Sequence, residues 1–264
     1  MKKILILSLW LILIAGLLFT VGFATRREDR GNCSEFVITI HRDGENYFVE
    51  EDHIRELLES TEPMVGRPIG SIRIDEIERL VNTNPWIARA EVYMGIEGKL
   101  KVEIWQKRAL ARVINSRGES YYIDDKGGLM VWSAEFSPRV LLINGNIPET
   151  FNRWYNTPLI GSLTTDSVKN LTILDELFFL SNYIRSDTLW NAQFEQVYVN
   201  SLNEFELIPK IGEHRILFGD TINMKIKFDK LALFYTEGLN HTGWNQYDTL
   251  NLKFDNQVVC SKIK

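Results

Sequence analysis

One uninterrupted apolar run over residues 4–24 constrains the whole chain. It contains no charged residue, and nothing like it recurs downstream. At about 1.5 Å per helical residue it extends about 31 Å, close to the ~30 Å hydrocarbon core of a bilayer. A cleaved signal peptide is the competing reading: Lys2 and Lys3 form a basic start, and Gly22-Phe23-Ala24 mimics a small-x-small cleavage site. The apolar core of a signal peptide is about 7–15 residues long, and this run exceeds it. The expectation is a stub over 1–3, a single transmembrane helix over 4–24, a polar linker over 25–34, and a domain held at the membrane surface. Arg26, Arg27 and Arg30 balance Lys2 and Lys3 across the span. An inward N-terminus is still expected, because long C-terminal domains translocate largely regardless of charge.

Beyond the run the chain reads as soluble protein. Setting aside Lys2, Lys3, Arg26, Arg27, Arg30, Glu28 and Asp29 leaves 25 basic and 33 acidic residues, a net charge near −8 against −5 for the whole chain. Nucleic acid and anionic lipid both demand a basic face, so neither is expected as the main partner. The chain from Cys33 onward is long enough for two modest domains. Cys33 and Cys260 are the two cysteines. An oxidising compartment permits a bridge between them, and two free thiols are the equal alternative.

Periodicity divides the remainder. Phe36-Val37-Ile38-Thr39-Ile40 is a β-rich run, followed after Asn46-Tyr47-Phe48-Val49 by an amphipathic stretch with Ile54, Leu57 and Leu58 on one face. Pro63, Gly66 and Pro68 break it. Asp75 with Glu78 three residues later predicts a capping-box helix start. Ile74, Ile77, Leu80 and Val81 follow at helical spacing, and Asn84-Pro85 ends the helix. Trp86, Ala88, Ala90, Val92 and Met94 predict one face of a strand. Leu100, Val102 and Ile104 predict a face of the next, opposite Lys99, Lys101 and Glu103, with Gly95 and Gly98 in the hairpin. The order is β-α-α-β-β in about 75 residues, an ordinary small-domain size.

From Ala109 the chain turns strand-rich, with strands expected over 111–115, 120–123, 128–132 and 140–143. Asp124-Asp125-Lys126-Gly127-Gly128 reads as a turn. A long helix over 167–184 carries Val168, Leu171, Leu174, Leu177, Phe178 and Ile184. Further strands are expected over 194–199, 204–209 and 215–218. Met224, Phe228, Leu231 and Tyr235 form another helical stripe, and two strands over 249–254 and 257–261 close the chain. The expected fold class is α+β: a transmembrane helix, a βααββ domain over 35–107, and a larger mixed α/β domain over 108–264 with an extended, mostly antiparallel sheet.

A membrane-anchored cell-wall hydrolase is the rival class, and it needs a nucleophile with its base, a metal set or a carboxylate pair. His41, His53, His214 and His241 show no H-x-x-x-H spacing, and no G-x-S-x-G, Walker-type or GxGxxG segment is present. Asp124 and Asp125 point apart on an extended chain, which suits acid–base work poorly. Glu50, Glu51 and Asp52 read as a charge cluster at a helix start. No catalytic residue, metal or cofactor is expected.

The order of parts resembles the bacterial cell-division FtsQ (DivIB) family across nearly the whole chain. Asn84-Pro85-Trp86-Ile87 with Ala90 and Val92 is similar to the family's Pro-Trp-Val…A-x-V segment. Lys107-Arg108-Ala109-Leu110-Ala111 stands at its interdomain junction, where Gln106 replaces a usual Glu and Ala109 a usual Pro. Tyr121-Tyr122-Ile123-Asp124-Asp125-Lys126-Gly127 is similar to Y-x-I-D-x-x-G, Leu142-Ile143-Asn144-Gly145 to a strand ending in Gly, and Leu217-Phe218-Gly219 to the late L-G segment. Asn251-Leu252-Lys253-Phe254-Asp255 resembles the terminal D-L-R-Y strand. The resemblance implies that the βααββ unit is a POTRA domain and that the chain is a divisome scaffold rather than an enzyme. It also implies an inner-membrane location at the septum with a periplasmic C-terminal domain. A POTRA-bearing assembly or secretion module is a further alternative.

The resemblance implies, too, that the last strands bind small bitopic partners of the FtsB (DivIC) and FtsL type. Physically, a terminal strand exposes unpaired N–H and C=O groups to which a partner strand can be added. The candidate edge is 249–260, where Leu250, Leu252 and Phe254 alternate with Asn251, Lys253 and Asp255. By resemblance Lys253, Phe254 and Asn256 are partner contacts, with Gln257 beside them. Pro85 and Trp86 read as structural, and Lys107 and Arg108 as a solvated pair.

Overall fold

A computed structural model of the chain describes residues 10, 12–17, 31–42, 44, 47–60, 63–155, 159 and 171–263. Of the expected membrane span, positions 10 and 12–17 are among them, and 12–17 are helical; the rest of the span lies outside the described residues. Among the described residues no helix is long and apolar enough to cross a membrane. The chain divides into two compact units, Met1–Gln106 and Lys107–Lys264.

In the first unit, β1 (Glu35–His41), α1 (Glu51–Glu59), α2 (Ile74–Asn82), β2 (Ile87–Met94) and β3 (Lys99–Gln106) follow in the expected order. β3 is central, parallel to β1 and antiparallel to β2. Its alternation decides which face is core: Leu100, Val102 and Ile104 are fully buried, joined by Phe36, Ile38, Ile54, Leu58, Ile77 and Val81. Two local expectations fail. Asp75 does not cap α2: the N-cap is Arg73, and no side chain caps it. Asp75 instead pairs with Arg79 one turn on, and Glu78 reaches across to accept a hydrogen bond from the Val92 N–H. In β2 the register shifts between Ile87 and Arg89, so Ile87, Ala90 and Val92 face the core while Ala88 is exposed. A bulge of this kind inverts the phase of every residue before it.

The outer face of this sheet is organised as well. Glu91 and Glu103 stand directly opposite each other, an arrangement that repels. The Tyr93 hydroxyl donates to Glu103 at 2.6 Å and His41 Nε2 lies 3.1 Å from the same carboxylate. The Tyr93 bond first, and His41 second, hold Glu103 below the usual carboxylate range. His41 also stacks on Trp105, and the Arg89 guanidinium covers that ring at 4.0 Å. Gln106 accepts a hydrogen bond from the Val49 N–H at 2.9 Å.

The second unit is a nine-stranded mixed sheet. In chain order its strands are β4 (Ala109–Ile114), β5 (Ser120–Asp124), β6 (Leu129–Val131), β7 (Leu141–Gly145), β8 (Phe194–Val199), β9 (Phe205–Pro209), β10 (Arg215–Gly219), β11 (Tyr247–Asn251) and β12 (Val259–Lys262). Across the sheet the order is β12-β11-β10-β9-β8-β7-β4-β5-β6. Five of the eight pairings are antiparallel, and β4/β7, β7/β8 and β10/β11 are parallel. The helices of this unit include α3 (Phe151–Trp154), α4 (Ile173–Ser186), α5 (Thr188–Gln193) and α6 (Met224–Leu233). A π-helical turn and α7 (Leu239–Thr242) follow α6. α4 begins later than the periodicity suggests, at a capping box between Thr172 and Asp175; residues 167–170 lie outside the described residues. The turn at Asp124 forms because its Oδ1 accepts from the Lys126 and Gly128 N–H groups. Arg108, read as solvated, is ion-paired with Asp125 at 2.8 Å.

The core beneath α6 is aromatic: the Phe228 ring meets Tyr183, Trp190, Phe194 and Phe218. Beside it His214, 1% exposed, shares a hydrogen bond of 3.0 Å with the Tyr235 hydroxyl, while its Nδ1 has no partner among the described residues. Burial pushes its pKa down, so the folded protein holds a neutral ring. The unfolded chain binds the proton near the ordinary value of about 6.5. Stability is therefore lost as pH falls below that value, until the folded-state pKa is reached. Urea midpoints compared at pH 7.5 and pH 5.5 are expected to drop less in His214→Gln than in the unaltered chain. An equal drop removes His214 from the acid response.

A candidate protein-binding edge

β11 is not the edge of the sheet. It is flanked by β10 on one side and by β12, paired antiparallel, on the other. The expected strand over 249–254 ends at Asn251, and that over 257–261 is replaced by Val259–Lys262. Leu252 still bonds through its N–H to the Leu217 carbonyl at 3.0 Å. Leu250 and Leu252 are buried, but Phe254 is 48% exposed, so the alternation breaks after Leu252. The four predicted contact residues Lys253, Phe254, Asn256 and Gln257 lie together, all exposed, in the turn joining β11 to β12.

That turn is held from both sides. Lys230 on α6 donates from Nζ to the carbonyls of Leu252 and Phe254. Asn256 takes a left-handed backbone, φ 56°, which Asn tolerates better than most residues. Lys253 is not a free gatekeeper: Nζ pairs with both carboxylate oxygens of Glu204 at 3.0 and 3.1 Å. Its stem crosses Gly219, where a Cβ would sit 3.0 Å from Lys253 Cγ. Both partners of this ion pair are about one-third exposed, so it contributes little to stability; its effect is to orient the side chain. Gly219 is thus explained by close approach as well as by its φ of 79°.

Beyond the turn, β12 forms the end of the sheet. Among the described residues no strand pairs with its outer side. Apolar surface is left open there, with Val259 at its start 42% and Ile263 just past its end 45% exposed. Across the turn Ile222, Ile226 and Leu233 are exposed too, and a groove of about 330 Å³ runs between Ile222, Ile226, Lys230, Leu252 and Asp255. Sequence reasoning missed these residues. The signal was present: with Phe228 and Leu231 inward, Ile226 and Leu233 fall off the buried stripe and make α6 apolar on two sides. Elsewhere, Asp124 is absorbed by its turn and His214 by its aromatic pocket, and among the described residues no three His, Cys, Asp or Glu side chains converge as a metal site. Cys33, buried, and Cys260, half-buried, are free thiols.

A small βααββ unit is thus followed by a mixed-sheet domain whose end strand, among the described residues, leaves apolar side chains exposed. Residues 31–105 match the POTRA-like domain, and residues 108–261 match the family described as FtsQ/DivIB, C-terminal related. The second match covers more than half of the chain, and the chain belongs to the FtsQ/DivIB-related family, a non-enzymatic family of cell-division scaffolds. A search of curated proteins gave no match.

Proposed function

We propose that the chain is a bitopic divisome scaffold that captures small FtsB/DivIC-like and FtsL-like partners on its terminal sheet edge. The observation that carries this reading is β12: an end strand with an unpaired outer side among the described residues, bordered by exposed Phe254, Val259 and Ile263. A partner segment adding as a strand gains main-chain hydrogen bonds from β12, while its side chains meet the apolar border. Lys253, Asn256 and Gln257 supply the polar rim beside Phe254. The run over residues 4–24 supplies the anchor, the N-terminus is cytoplasmic, and the folded units stand in the periplasm at the inner-membrane septum. The POTRA-like unit offers a second contact surface to other division proteins.

Truncating a central anchor of such an interface costs about 2 kcal/mol, or about 30-fold in affinity. Full-length Phe254→Ala and Val259→Glu, co-expressed with the organism's FtsB-like protein, are expected to lose at least that factor with an unchanged circular dichroism spectrum. Lys253→Glu is a poorer test, because it also sets two carboxylates against each other at Glu204. Unchanged affinity in both folded variants rejects this edge.

A further inference from the structure

A cavity of about 210 Å³ lies at the opposite end of the strands from the β11–β12 turn, within the second unit. The first residues of β4, β7 and β8 open into it, as do the last turn of α4 and the chain leaving β9. Its wall is apolar through Leu110, Ile184 and Phe194, and three cations line it: Arg139, Arg185 and Lys210. Among the described residues the one acid in the lining is Glu195, so the lining is net positive in a chain whose net charge is −5.

Among the described residues none of the three cations is ion-paired. Arg185 donates to the Ala109 carbonyl at 3.3 Å, and Lys210 to the Asn191 carbonyl at 3.3 Å. Arg139 has no hydrogen bond or ion pair among the described residues. This contrasts with Arg108, Arg215, Lys225, Lys227 and Lys253 of the same unit, each of which holds a carboxylate. The position of Arg185 in the last turn of α4 suits the helix dipole and accounts for Arg185 alone; Arg139 and Lys210 come from other elements. Burial lowers the Arg185 pKa and Arg108 lowers it further, against a smaller opposing effect of Asp125, whose carboxylate is ion-paired with Arg108. In the same wall Ser181, 2% exposed, has a hydroxyl with no partner among the described residues. Unsatisfied buried groups of this kind call for an explanation.

We propose that this cavity binds a carboxylate carried on a short apolar stem, as presented by the C-terminal residue of a peptide or by a free small acid. Guanidinium groups take carboxylates through paired N–H donors, and the apolar wall receives the stem. The site is independent of the β12 edge and takes a different ligand.

The test is titration of the purified full chain, followed by calorimetry, with N-acetyl-glycyl-leucine, its C-terminal amide, and 4-methylpentanoate. The acid peptide is expected to bind at least tenfold more tightly than the amide. Arg139→Gln, at an exposed residue with no hydrogen bond or ion pair among the described residues, is expected to weaken it at least fivefold at unchanged Tm. Glu195→Gln is expected to tighten it, which a purely structural role would not do. The tighter of peptide and 4-methylpentanoate identifies the source of the carboxylate, and saturable binding of either supports the site. Equal affinity for acid and amide, unchanged affinity in Arg139→Gln, or no saturable binding of either acid overturns the proposal.

Discussion

Gly145→Ala is expected to destabilise the second unit by more than about 3 kcal/mol, enough to threaten folding of a typical domain. Gly145 ends β7 with φ 113°, a region nearly closed to residues with a Cβ. Strain of that kind costs about 1–3 kcal/mol by itself. The steric problem is worse. A Cβ at this position would lie 2.1 Å from the Val199 carbonyl oxygen and 2.8 Å from its nitrogen. Both are backbone atoms of β8, the strand paired to β7 with Gly145 opposite Val199. A side chain could rotate away; a paired strand cannot without breaking its ladder. Gly118→Ala is the matched control, since Gly118 has φ 82° but open space around it, so its cost is conformational alone. Urea unfolding of both variants checks the argument, and similar midpoints for the two would show that close approach to β8 does not matter.

Phe228→Ala is expected to cost about 3–5 kcal/mol, the range for removing a buried aromatic side chain. The ring is 1% exposed. It touches four others: stacked on Tyr183 at 4.7 Å, tilted against Phe218 at 5.0 Å and Trp190 at 5.1 Å, and against Phe194 at 6.2 Å between centroids. These rings come from α4, β10, α5 and β8, so the cavity left by Ala cannot collapse without moving several elements at once. Phe228→Leu, which keeps most of the volume, is expected to lose less than half as much. The consequence reaches the proposed binding edge: α6 carries both Phe228 and Lys230, and Lys230 holds the β11–β12 turn through the carbonyls of Leu252 and Phe254. Partner affinity is therefore expected to fall in Phe228→Ala even at temperatures where the domain remains folded. Loss of stability below about 1 kcal/mol would show that the rings repack freely.

Much of this architecture is legible in the chain alone because local rules agree there. The inward face of β3 follows from strict alternation, β1 from a β-rich run, and α1 and α6 from helical spacing. The Asp124–Gly128 turn follows from a carboxylate two and four residues before free N–H groups. The order of elements and the short motifs around Trp86, Tyr121 and Gly145 suffice to indicate the family. Local rules mislead where a distant partner competes. Asp75 and Glu78 have the spacing of a cap, but Arg79 and the Val92 N–H claim their carboxylates. Trp86 and Ala88 have the right parity for the core, and the bulge at Ile87 reverses it.

The site divides along the same line. Alternating apolar residues at the end of the chain specify that a sheet closes there, and Leu250 and Leu252 fill its core as their spacing demands. Nothing in that pattern says where the alternation stops. Sheet order decides it: β11 lies between β10 and β12, so the exposed edge passes to Val259–Lys262, and Lys253, Phe254, Asn256 and Gln257 fall in the turn that Lys230 and Glu204 hold in place. The cationic cavity is more strongly tertiary still. Arg139, Arg185 and Lys210 are widely spaced in sequence and belong to no motif; the meeting of three strand starts with the end of α4 gathers them. Periodicity acts between neighbours along the chain and sets which face is buried, whereas strand order and ion pairing act between segments far apart in it and set which surface is left to bind.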